Sequence, residues 1–550
     1  MGKKVYLLGF IILIGAVLRL YNLTNTPPSL YWDEVSLGYN AYSIAETGHD
    51  EHGEYFPFIF RGYDDFKFPG YIYLTAVFVY FLGLSELTTR LPGALIGTAS
   101  VFFIFILTHN LFSRLREKKD SITFSLAAAF LFAISPWSIN FSRAAFEANV
   151  ALGFVILGFA LILQKKKSHL MFVLGLIFLL FSLHTYRSEL IFVPLLLSVS
   201  LTLFFKDFFS AARRKITVIS LVVFMLLSLP IYYHTFLGEA SARQNQVSVL
   251  EGVDKKIGEY SEQIINSTQP RLGNIFLNYR IAYIDVFLNN YIPQVSPSFL
   301  FLEGDPNPRH GAPYMGVLYL WESITLILGF IFLTKVNKKV GIFLGAWVII
   351  GILPAALTTP TPHALRALTI LPPLIIISSG GLYYAFILLK KWRMTYLAVT
   401  SLVIAFFFAQ FLYLYFSVLP KNSSHDWGGG YKEIVEYVEE NNEEYERIIV
   451  TGHYWNPYMY FLFYNKYDPA KFQRNGSISG FGIYTFGGTS WDKDRYSKTL
   501  AEVELDEFSD KATMIILSPN EFEQQKEKVN ELTRIQDISG KNIFIVTEIK

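Results

Sequence analysis

Long apolar runs separated by short polar connections dominate the first 420 residues. Eleven of these runs have close to the ~20 residues that a helix needs to cross a bilayer. They cover residues 6–23, 92–112, 121–139, 148–164, 169–186, 188–206, 216–235, 317–334, 339–358, 366–389 and 394–418. The pattern predicts a polytopic α-helical membrane protein with about 11 full spans.

A further apolar stretch, residues 70–84 (GYIYLTAVFVYFLGL), is shorter than the others. We interpret it as a re-entrant or interfacial helix. The alternative is that it crosses the membrane and that another predicted span is wrong, for instance one within 169–206.

The pattern changes after residue 419. YKEIVEYVEENNEEYERIIVTG is typical of an amphipathic helix followed by a strand, and ATMIILSP and NIFIVTEI are typical of strands. NEFEQQKEKVNEL, between those two strands, looks helical. We therefore predict a transmembrane domain over 1–419 and a soluble α/β domain over 420–550.

Composition supports the membrane interpretation. Hydrophobic residues make up 52% of the chain and charged residues only 17%, against roughly 25% charged residues in soluble domains. A net charge of +2 is too balanced for a nucleic-acid-binding protein. Disulfides and thiolate metal sites are excluded, because the chain has no cysteine.

Charge orients the predicted spans. One set of connections holds 19 Lys or Arg and 3 acidic residues, which places it in the cytoplasm by the positive-inside rule. The N-terminus is then cytoplasmic, and the loop 24–91, the large loop 236–316 and the domain 420–550 lie outside. We expect a multi-pass protein of the plasma (inner) membrane.

The loop 24–91 carries the sequence YWDE, in which Asp33 and Glu34 follow directly on aromatic residues. The loop has nine acidic and three basic residues, and further aromatics such as Tyr39. One interpretation is an interfacial helix with solvated acids and an aromatic belt. The other is a general base beside the membrane, which takes a proton from an acceptor hydroxyl or amine.

Basic residues recur on the same predicted outer side. Arg143 and Glu147 are spaced i, i+4, which on a helix surface also suits a modest ion pair. Short outer loops rarely hold arginine, and guanidinium groups bind phosphate well. The group as a whole indicates an anion-binding function, although each member alone could be structural. Its members are Lys67, Arg143, Arg187, Arg280, Arg309, His310, His363 and Arg366.

A carboxylate pair and basic residues on one face of a membrane body suit an enzyme that uses a lipid-linked phosphate donor. A glycan polymerase or ligase with lipid-diphosphate donors is the nearest alternative, and it would not need Asp33. A transporter or flippase would more often show inverted repeats and broken spans. A receptor would not need so many spans as an anchor.

The order YWDE, GHDEHGEYFPF, DDFKFPGYIYL, TTRLPGAL after a first span resembles one family of membrane enzymes. These are the GT-C fold glycosyltransferases of the protein-mannosyltransferase and aminoarabinose-transferase superfamily, in particular a bacterial branch similar to dolichyl-phosphate-mannose–protein mannosyltransferases. PHALRALTILPPL and FLFYNKYDPAKFQ resemble that branch too, so the resemblance covers most of the chain.

The resemblance implies inverting sugar transfer from a polyprenyl-phosphate monosaccharide on the outer face. Asp33 matches the family's base and Glu34 would support it. Lys67 matches the lysine of the KPP motif that contacts the donor phosphate, although here the motif reads KFPG. Asp65 stands where relatives have an acidic residue. Position and charge assign Arg143, Arg187, Arg280, His363 and Arg366 to the donor phosphate.

The expected partners are the polyprenyl-phosphate sugar donor and membrane lipid. Neither the sugar nor the acceptor, which could be a lipid, a glycan or a protein, follows from the sequence. The residues give no metal-ligand cluster and no certain cofactor. A divalent metal ion remains an alternative, because some relatives need one and others do not.

Overall fold

A computed structural model describes most of the chain. The described residues are 2–62, 65–113, 118–164, 168–211, 213–238, 249–268, 270–454, 456–487, 500, 505 and 511–550. They form two compact units. The membrane unit comprises Met1–Arg19, Leu95–Ser142 and Glu147–Leu412. The acidic-loop unit comprises Leu20–Ala94, Arg143–Phe146 and Tyr413–Lys550. The predicted boundary at residue 419 stays a prediction.

Each of the eleven predicted runs overlaps a helix. The helices are Gly2–Leu20, Glu86–Phe112, Lys118–Ile134 with Pro136–Ser142, Glu147–Ile162, His169–Leu183, Glu189–Leu203, Arg214–Phe236, Glu322–Val336, Lys338–Ala356, Leu371–Leu388 and Arg393–Tyr413. A short helix, Phe205–Phe208, begins at the end of the sixth run. The helical, membrane-type architecture is thereby confirmed.

Five described helical stretches are long and apolar enough to cross a membrane. They are Glu86–Phe112, Arg214–Phe236, Lys338–Ala356, Leu368–Leu388 and Lys390–Asn422. A pair bent by 56°, Ser121–Ile134 and Pro136–Ser142, makes a sixth if it is one span. Proline removes a backbone donor and so breaks the helix there. Four further apolar helices are shorter, so the count of eleven full spans stays a prediction.

Glycines allow two helix pairs of the membrane unit to pack closely. A Cβ at Gly329 would lie 1.8 Å from the carbonyl oxygen of Ile377, and one at Gly381 would lie 1.9 Å from that of Thr325. Glu147–Ile162 and His169–Leu183 meet at Gly158 and Gly175 in a similar way. Small residues at helix interfaces are typical of membrane bundles, where close backbone packing stabilises association.

The described residues of the large loop 236–316 form three α-helices, Leu250–Ile265, Pro270–Phe276 and Tyr279–Tyr291. Asn278 begins the last of them, since its side chain accepts hydrogen bonds from the backbone of the next turn. Short 3₁₀ and π turns at Ile292–Val295 and Ser298–Leu302 then lead towards the helix Glu322–Val336.

The acidic-loop unit begins with the helix Trp32–Thr47. A hairpin of β1 (Phe60–Gly62) and β2 (Asp65–Lys67) follows, with Phe60 opposite Lys67. The next helix, Pro69–Leu82, starts with a proline at its first position, where the missing N–H costs nothing. It covers the predicted short helix over 70–84, and whether it crosses the membrane stays a prediction.

The C-terminal part of this unit is a six-stranded mixed sheet with flanking helices, as expected for an α/β domain. The strands are β3 (Arg447–Val450), β4 (Gly480–Phe481), β5 (Tyr484–Phe486), β6 (Thr513–Leu517), β7 (Val529–Gln536) and β8 (Asn542–Ile549), in the order β4-β5-β3-β6-β8-β7. The helices are Leu419–Asn422, Tyr431–Asn441, Pro457–Tyr464, Pro469–Asn475 and Pro519–Gln525.

One predicted helix in this region is wrong in its second half. In NEFEQQKEKVNEL the helix ends at Gln525, and the residues from Val529 onward form the strand β7. β7 pairs only with β8, at the edge of the sheet. Its side chains are mostly exposed and polar, so the strand lacks the apolar alternation by which a half-buried strand is recognised.

Candidate active site

The first turn of the helix Trp32–Thr47 presents the two adjacent acids. The side chain of Glu34 turns back to accept a hydrogen bond from the backbone N–H of Tyr31, at 3.3 Å. This contact satisfies one of the donors that a helix start leaves without a partner. At the other end, Gly48 adopts a left-handed conformation with φ of 71°, which closes the helix.

Asp33 and Lys67 form an ion pair. The hairpin of β1 and β2 carries the lysine to the helix start. The Asp33 side chain is 35% exposed, whereas that of Lys67 is only 7% exposed. Asp33 therefore offers a carboxylate to an incoming molecule while a buried ammonium group holds it in place. The structure brings together the predicted base and one predicted phosphate ligand.

Glu34, in contrast, is completely buried. Arg90 donates to both of its carboxylate oxygens at 2.9 Å, and the backbone N–H of Ala145 donates to Oε1 at 2.8 Å. The same guanidinium group also donates to four backbone carbonyl oxygens, those of Leu23, Thr24, Pro27 and Ser29. Glu34 thus fixes the helix start on which Asp33 stands, because a two-pronged Arg–carboxylate pair is geometrically specific.

Glu51 is a third buried carboxyl group in this unit. Burial raises its pKa to about 8, although Asn40 and Lys67 act in the opposite direction. Asn40 Nδ2 lies 3.4 Å from Oε1. A Cβ added at Gly62 would lie 3.8 Å from Glu51 Oε1 and 3.5 Å from Lys67 Cε. Lys67 thus lies in the neighbourhood of both acids.

Two further predicted residues lie in this unit. The Tyr39 hydroxyl donates to the backbone carbonyl of Tyr467 at 3.0 Å. Burial raises the pKa of Tyr39, so the phenol stays protonated. Asp65 lies in β2 opposite Gly62.

Arg143 also lies in this unit and is completely buried. It donates to the backbone carbonyl oxygens of Thr26, at 2.8 Å, and Asn22, at 3.2 Å. Its guanidinium group also lies 4.9 Å from the ring centre of Phe416. These contacts hold the segment before Asp33, and a role at the donor phosphate stays a prediction.

The other predicted residues lie in the membrane unit. Arg280 is exposed and donates to the Tyr279 hydroxyl at 3.1 Å. Arg366 is half-buried and donates to the carbonyl oxygen of Thr359 at 2.7 Å. Arg187 and Glu147 are half-buried. Their roles stay predictions.

Two predicted histidines meet in the membrane unit. His310 Nδ1 lies 2.7 Å from Asp305 Oδ2, and the His310 and His363 rings are 4.8 Å apart. Burial, with the positive charges of His310 and Arg366, lowers the pKa of His363 to about 2. Burial by itself raises the pKa of Asp305, but the hydrogen bond from His310 and its charge bring it below its usual value.

These three side chains have the donor atoms of a metal site. One ligand atom from each of Asp305, His310 and His363 lies within 4.8 Å of the others. Within the part of the chain that the structure describes, this is the single group of three such residues. Both histidines were predicted as anion-binding residues, whereas Asp305 was not predicted.

Arg90 and Glu51 were also missed. Both lie inside the quoted motifs, TTRLPGAL and GHDEHGEYFPF. Arg90 begins a long apolar run, where a cation is readily taken as an interfacial anchor. Three adjacent charged or titratable residues around Glu51 look solvated. An arginine placed just before a proline-containing apolar run was the one available signal.

Comparisons with solved structures identify the fold. ArnT from Cupriavidus metallidurans bound to undecaprenyl phosphate aligns with a TM-score of 0.53 at 12% identity, covering 100% of this chain and 98% of that one. The Archaeoglobus fulgidus oligosaccharyltransferase tethered with an acceptor peptide containing the NVT sequon aligns with a TM-score of 0.50 at 13% identity, covering 98% and 74%.

A third structure, archaeal oligosaccharyltransferase AglB from Archaeoglobus fulgidus in complex with an inhibitory peptide and a dolichol-phosphate, has a TM-score of 0.45 at 14% identity. The alignment covers 84% of this chain and 63% of that protein, so this chain spans less than two thirds of that protein's length. No protein-family model and no curated protein matches the sequence.

The neighbours are GT-C fold glycosyltransferases, so the chain has the GT-C fold. The fold that the sequence resemblance implied is confirmed, together with a C-terminal sheet domain.

Proposed function

We propose that this protein is an integral membrane glycosyltransferase. It transfers a sugar from a polyprenyl-phosphate-linked monosaccharide to an acceptor on the outer face of the membrane, with inversion and with Asp33 as general base. The observation that carries the proposal is the ion pair between the accessible carboxylate of Asp33 and the buried ammonium group of Lys67.

The surroundings of Asp33 suit a base. The charge of Lys67 favours the ionised carboxylate, which must be free of a proton before it can accept one. Asp33 lies in a helix turn held by the buried Glu34–Arg90 pair, so its position is fixed on a rigid element. Glu34 itself is not available to a substrate, because its two carboxylate oxygens already accept four hydrogen bonds within the protein. We therefore assign Glu34 as a positioning residue.

The reaction step balances without a cofactor. An acceptor hydroxyl or amine attacks the anomeric carbon of the sugar, and its proton passes to Asp33. The bond between that carbon and the phosphate oxygen breaks, and the polyprenyl phosphate leaves with the electron pair. Attack from the face opposite the phosphate inverts the configuration.

Lys67 is the residue of this unit that we assign to the leaving phosphate. An ammonium group has three donors, so it can hold Asp33 and a phosphate oxygen at the same time. Negative charge grows on the phosphate as the bond breaks, and a fixed cation stabilises that charge. The undecaprenyl phosphate bound to the ArnT structure supports this class of donor.

The outer-face location rests on the charges of the connecting loops. A reporter fused after residue 418 tests it. We expect activity of an extracytoplasmic reporter, and a cytoplasmic signal would overturn the orientation.

The catalytic proposal is tested with membranes that contain Asp33→Asn. Labelled polyprenyl-phosphate sugars are supplied and the glycosylated product is identified, which also reveals the sugar and the acceptor. Loss of general-base catalysis typically costs about 10²–10⁴-fold in rate, and we expect a loss in this range. Asp33→Glu keeps the carboxylate and should retain part of the activity.

Glu46→Gln is the matched control, because Glu46 is an exposed acid on the same helix. It should leave transfer unchanged. Transfer by Asp33→Asn at the wild-type rate would refute the base assignment. Transfer from lipid-diphosphate sugars alone would favour the glycan polymerase or ligase alternative.

A further inference from the structure

The Asp305–His310–His363 cluster is built from two separate stretches of the membrane unit. Asp305 and His310 lie in the last part of the loop 236–316, and His363 lies between the helices Lys338–Ala356 and Leu371–Leu388. Their side chains are nearly inaccessible, at 3% for Asp305 and 5% for His310. His363 is 9% exposed.

His363 has a buried ring nitrogen without a partner. Its Nδ1 makes no hydrogen bond in the described structure. A buried polar atom in this state destabilises the folded chain. Native proteins rarely leave such an atom unsatisfied without a functional reason, and an aromatic nitrogen with a free lone pair is a metal ligand.

The backbone around the cluster is held in place by further hydrogen bonds. The fully buried Gln294 accepts from the backbone N–H of His363 at 3.0 Å. The backbone N–H of Ala364 donates to Asp305 Oδ2 at 2.6 Å, and its carbonyl oxygen accepts from Trp137 Nε1 at 3.1 Å. The three donor groups are therefore pre-organised, as metal ligands usually are.

We propose that Asp305, His310 and His363 bind one divalent transition-metal ion of the zinc class, with the fourth coordination position open. Two imidazole nitrogens and one carboxylate oxygen form the donor set of many zinc sites that keep an open position. Magnesium and calcium would instead be expected with oxygen ligands. This site goes beyond the proposed function, because the transfer step through Asp33 uses no metal.

Metal binding would replace the hydrogen bond between His310 Nδ1 and Asp305 Oδ2. Each histidine would then coordinate through a ring nitrogen. Arg309 and Arg366 act on His363 with positive charge, which opposes a cation. Without a metal, the positive charges of these arginines would instead favour an anion at the cluster. Removing one of them should strengthen the binding of a cation and weaken the binding of an anion, which distinguishes the two kinds of site.

The test uses the full chain purified in detergent and freed of metal by chelation. Zinc chloride is added, unbound zinc is removed, and the retained metal is measured by mass spectrometry. We expect about one zinc per chain, since the cluster is a single site, and a higher unfolding temperature with zinc, because a ligand that binds the native state stabilises it. Cobalt(II) should give the visible absorption of a low-symmetry, four-coordinate site.

Three variants sharpen the result. His363→Gln removes a ligand and should reduce the zinc affinity by more than the 10–100-fold that is typical when only a supporting partner is lost. His453→Gln changes an exposed histidine of the other unit and should retain the metal. Arg366→Gln should bind zinc more tightly, since it removes an opposing charge.

Each result bears on the proposal independently of sugar transfer. Wild-type protein that retains no zinc and shows no shift in unfolding temperature would overturn the proposal, even if His363→Gln fails to fold. Equal zinc content in wild type and folded His363→Gln would also overturn it. Weaker zinc binding by folded Arg366→Gln would show that zinc does not bind beside this opposing charge, and it would overturn the assignment of the three ligands.

Discussion

Two buried glutamates of the acidic-loop unit are held in opposite ways. Glu34 accepts four hydrogen bonds, two of them from Arg90. Glu51 has only weak contacts, from Asn40 at 3.4 Å and from His52 at 3.5 Å, with a further weak influence from the Tyr458 side chain. The same side chain, equally buried, is therefore a fixed support in one region and a titratable group in the other.

The difference arises from the number of donors that each region supplies. A buried carboxylate without enough donors favours its protonated form, and burial accordingly raises the pKa of Glu51 to about 8. Adjacency in sequence to the proposed base, Asp33, therefore does not identify the buried carboxyl group whose pKa is raised. The donors around each carboxylate do.

The largest loss of stability is expected when Glu34 loses the positive charge of Arg90. Arg90→Gln leaves a buried carboxylate without its charged partner, and breaking such a pair typically costs about 3–5 kcal/mol. We expect a large drop in the unfolding temperature and loss of transfer, since the start of the helix Trp32–Thr47 loosens. The measurement is thermal unfolding of the full chain in detergent, alongside the transfer assay.

Arg474→Gln is the control for this change, because Arg474 is an exposed arginine of the same unit. It should alter stability by no more than about 0.5 kcal/mol. Glu34→Gln combined with Arg90→Gln should be less destabilised than the sum of the two single changes. Wild-type stability of Arg90→Gln would contradict the supporting role of Glu34.

The contribution of Glu51 to the stability of the folded chain should depend on pH. Its folded-state pKa of about 8 lies above the usual 4.5, so between these values the folded chain binds the proton more tightly than the unfolded chain. Stability from this group is complete below about pH 4.5 and is lost as the pH rises towards 8. In Glu51→Gln this dependence should disappear.

Above pH 8 the variant should be more stable than wild type, by about 1–3 kcal/mol, the usual penalty of an unsatisfied buried group. Unfolding temperatures across pH 4 to 9 provide the measurement. Asn40 Oδ1 accepts from the backbone N–H of Glu51 in both proteins, so the loop should keep its shape. Identical pH profiles for wild type and Glu51→Gln would contradict the raised pKa.

The sequence allowed the helices to be predicted better than the contacts between them. Apolar runs are a local property, and every predicted run overlaps a helix. Arg90 and Glu34 are 56 residues apart, and no periodic pattern links them. The strand β7 was missed for a related reason, since an edge strand with exposed polar side chains lacks the local apolar alternation that identifies strands.

The candidate site was predicted in part. The resemblance pointed to Asp33 and Lys67, and the structure pairs them. It could not reveal that Glu51 is buried, because GHDEHGEY has the composition of a solvated loop. Asp305 was missed likewise, since its proximity to His363 depends on how two distant loops fold together.

The smallest effect on stability is expected from Lys67, the residue that lies near both acids. Lys67 lowers the pKa of Glu51, but less than burial raises it. Lys67→Gln should therefore move the pH window of Glu51 upward, by a shift small compared with the one that burial causes. The unfolding temperature is measured against pH for Lys67→Gln and for the double variant Lys67→Gln/Glu51→Gln. The difference between the two curves is due to Glu51, and the pH at its midpoint is the measured quantity.

Transfer by Lys67→Gln should fall together with this shift, because Asp33 loses its partner. A shift without loss of transfer would show that Lys67 acts on Glu51 but not on the reaction. Loss of transfer without a shift would show that its charge serves Asp33 and the phosphate alone. The two regions would then be electrostatically separate, and the comparison between Glu34 and Glu51 would concern only their own hydrogen-bond donors.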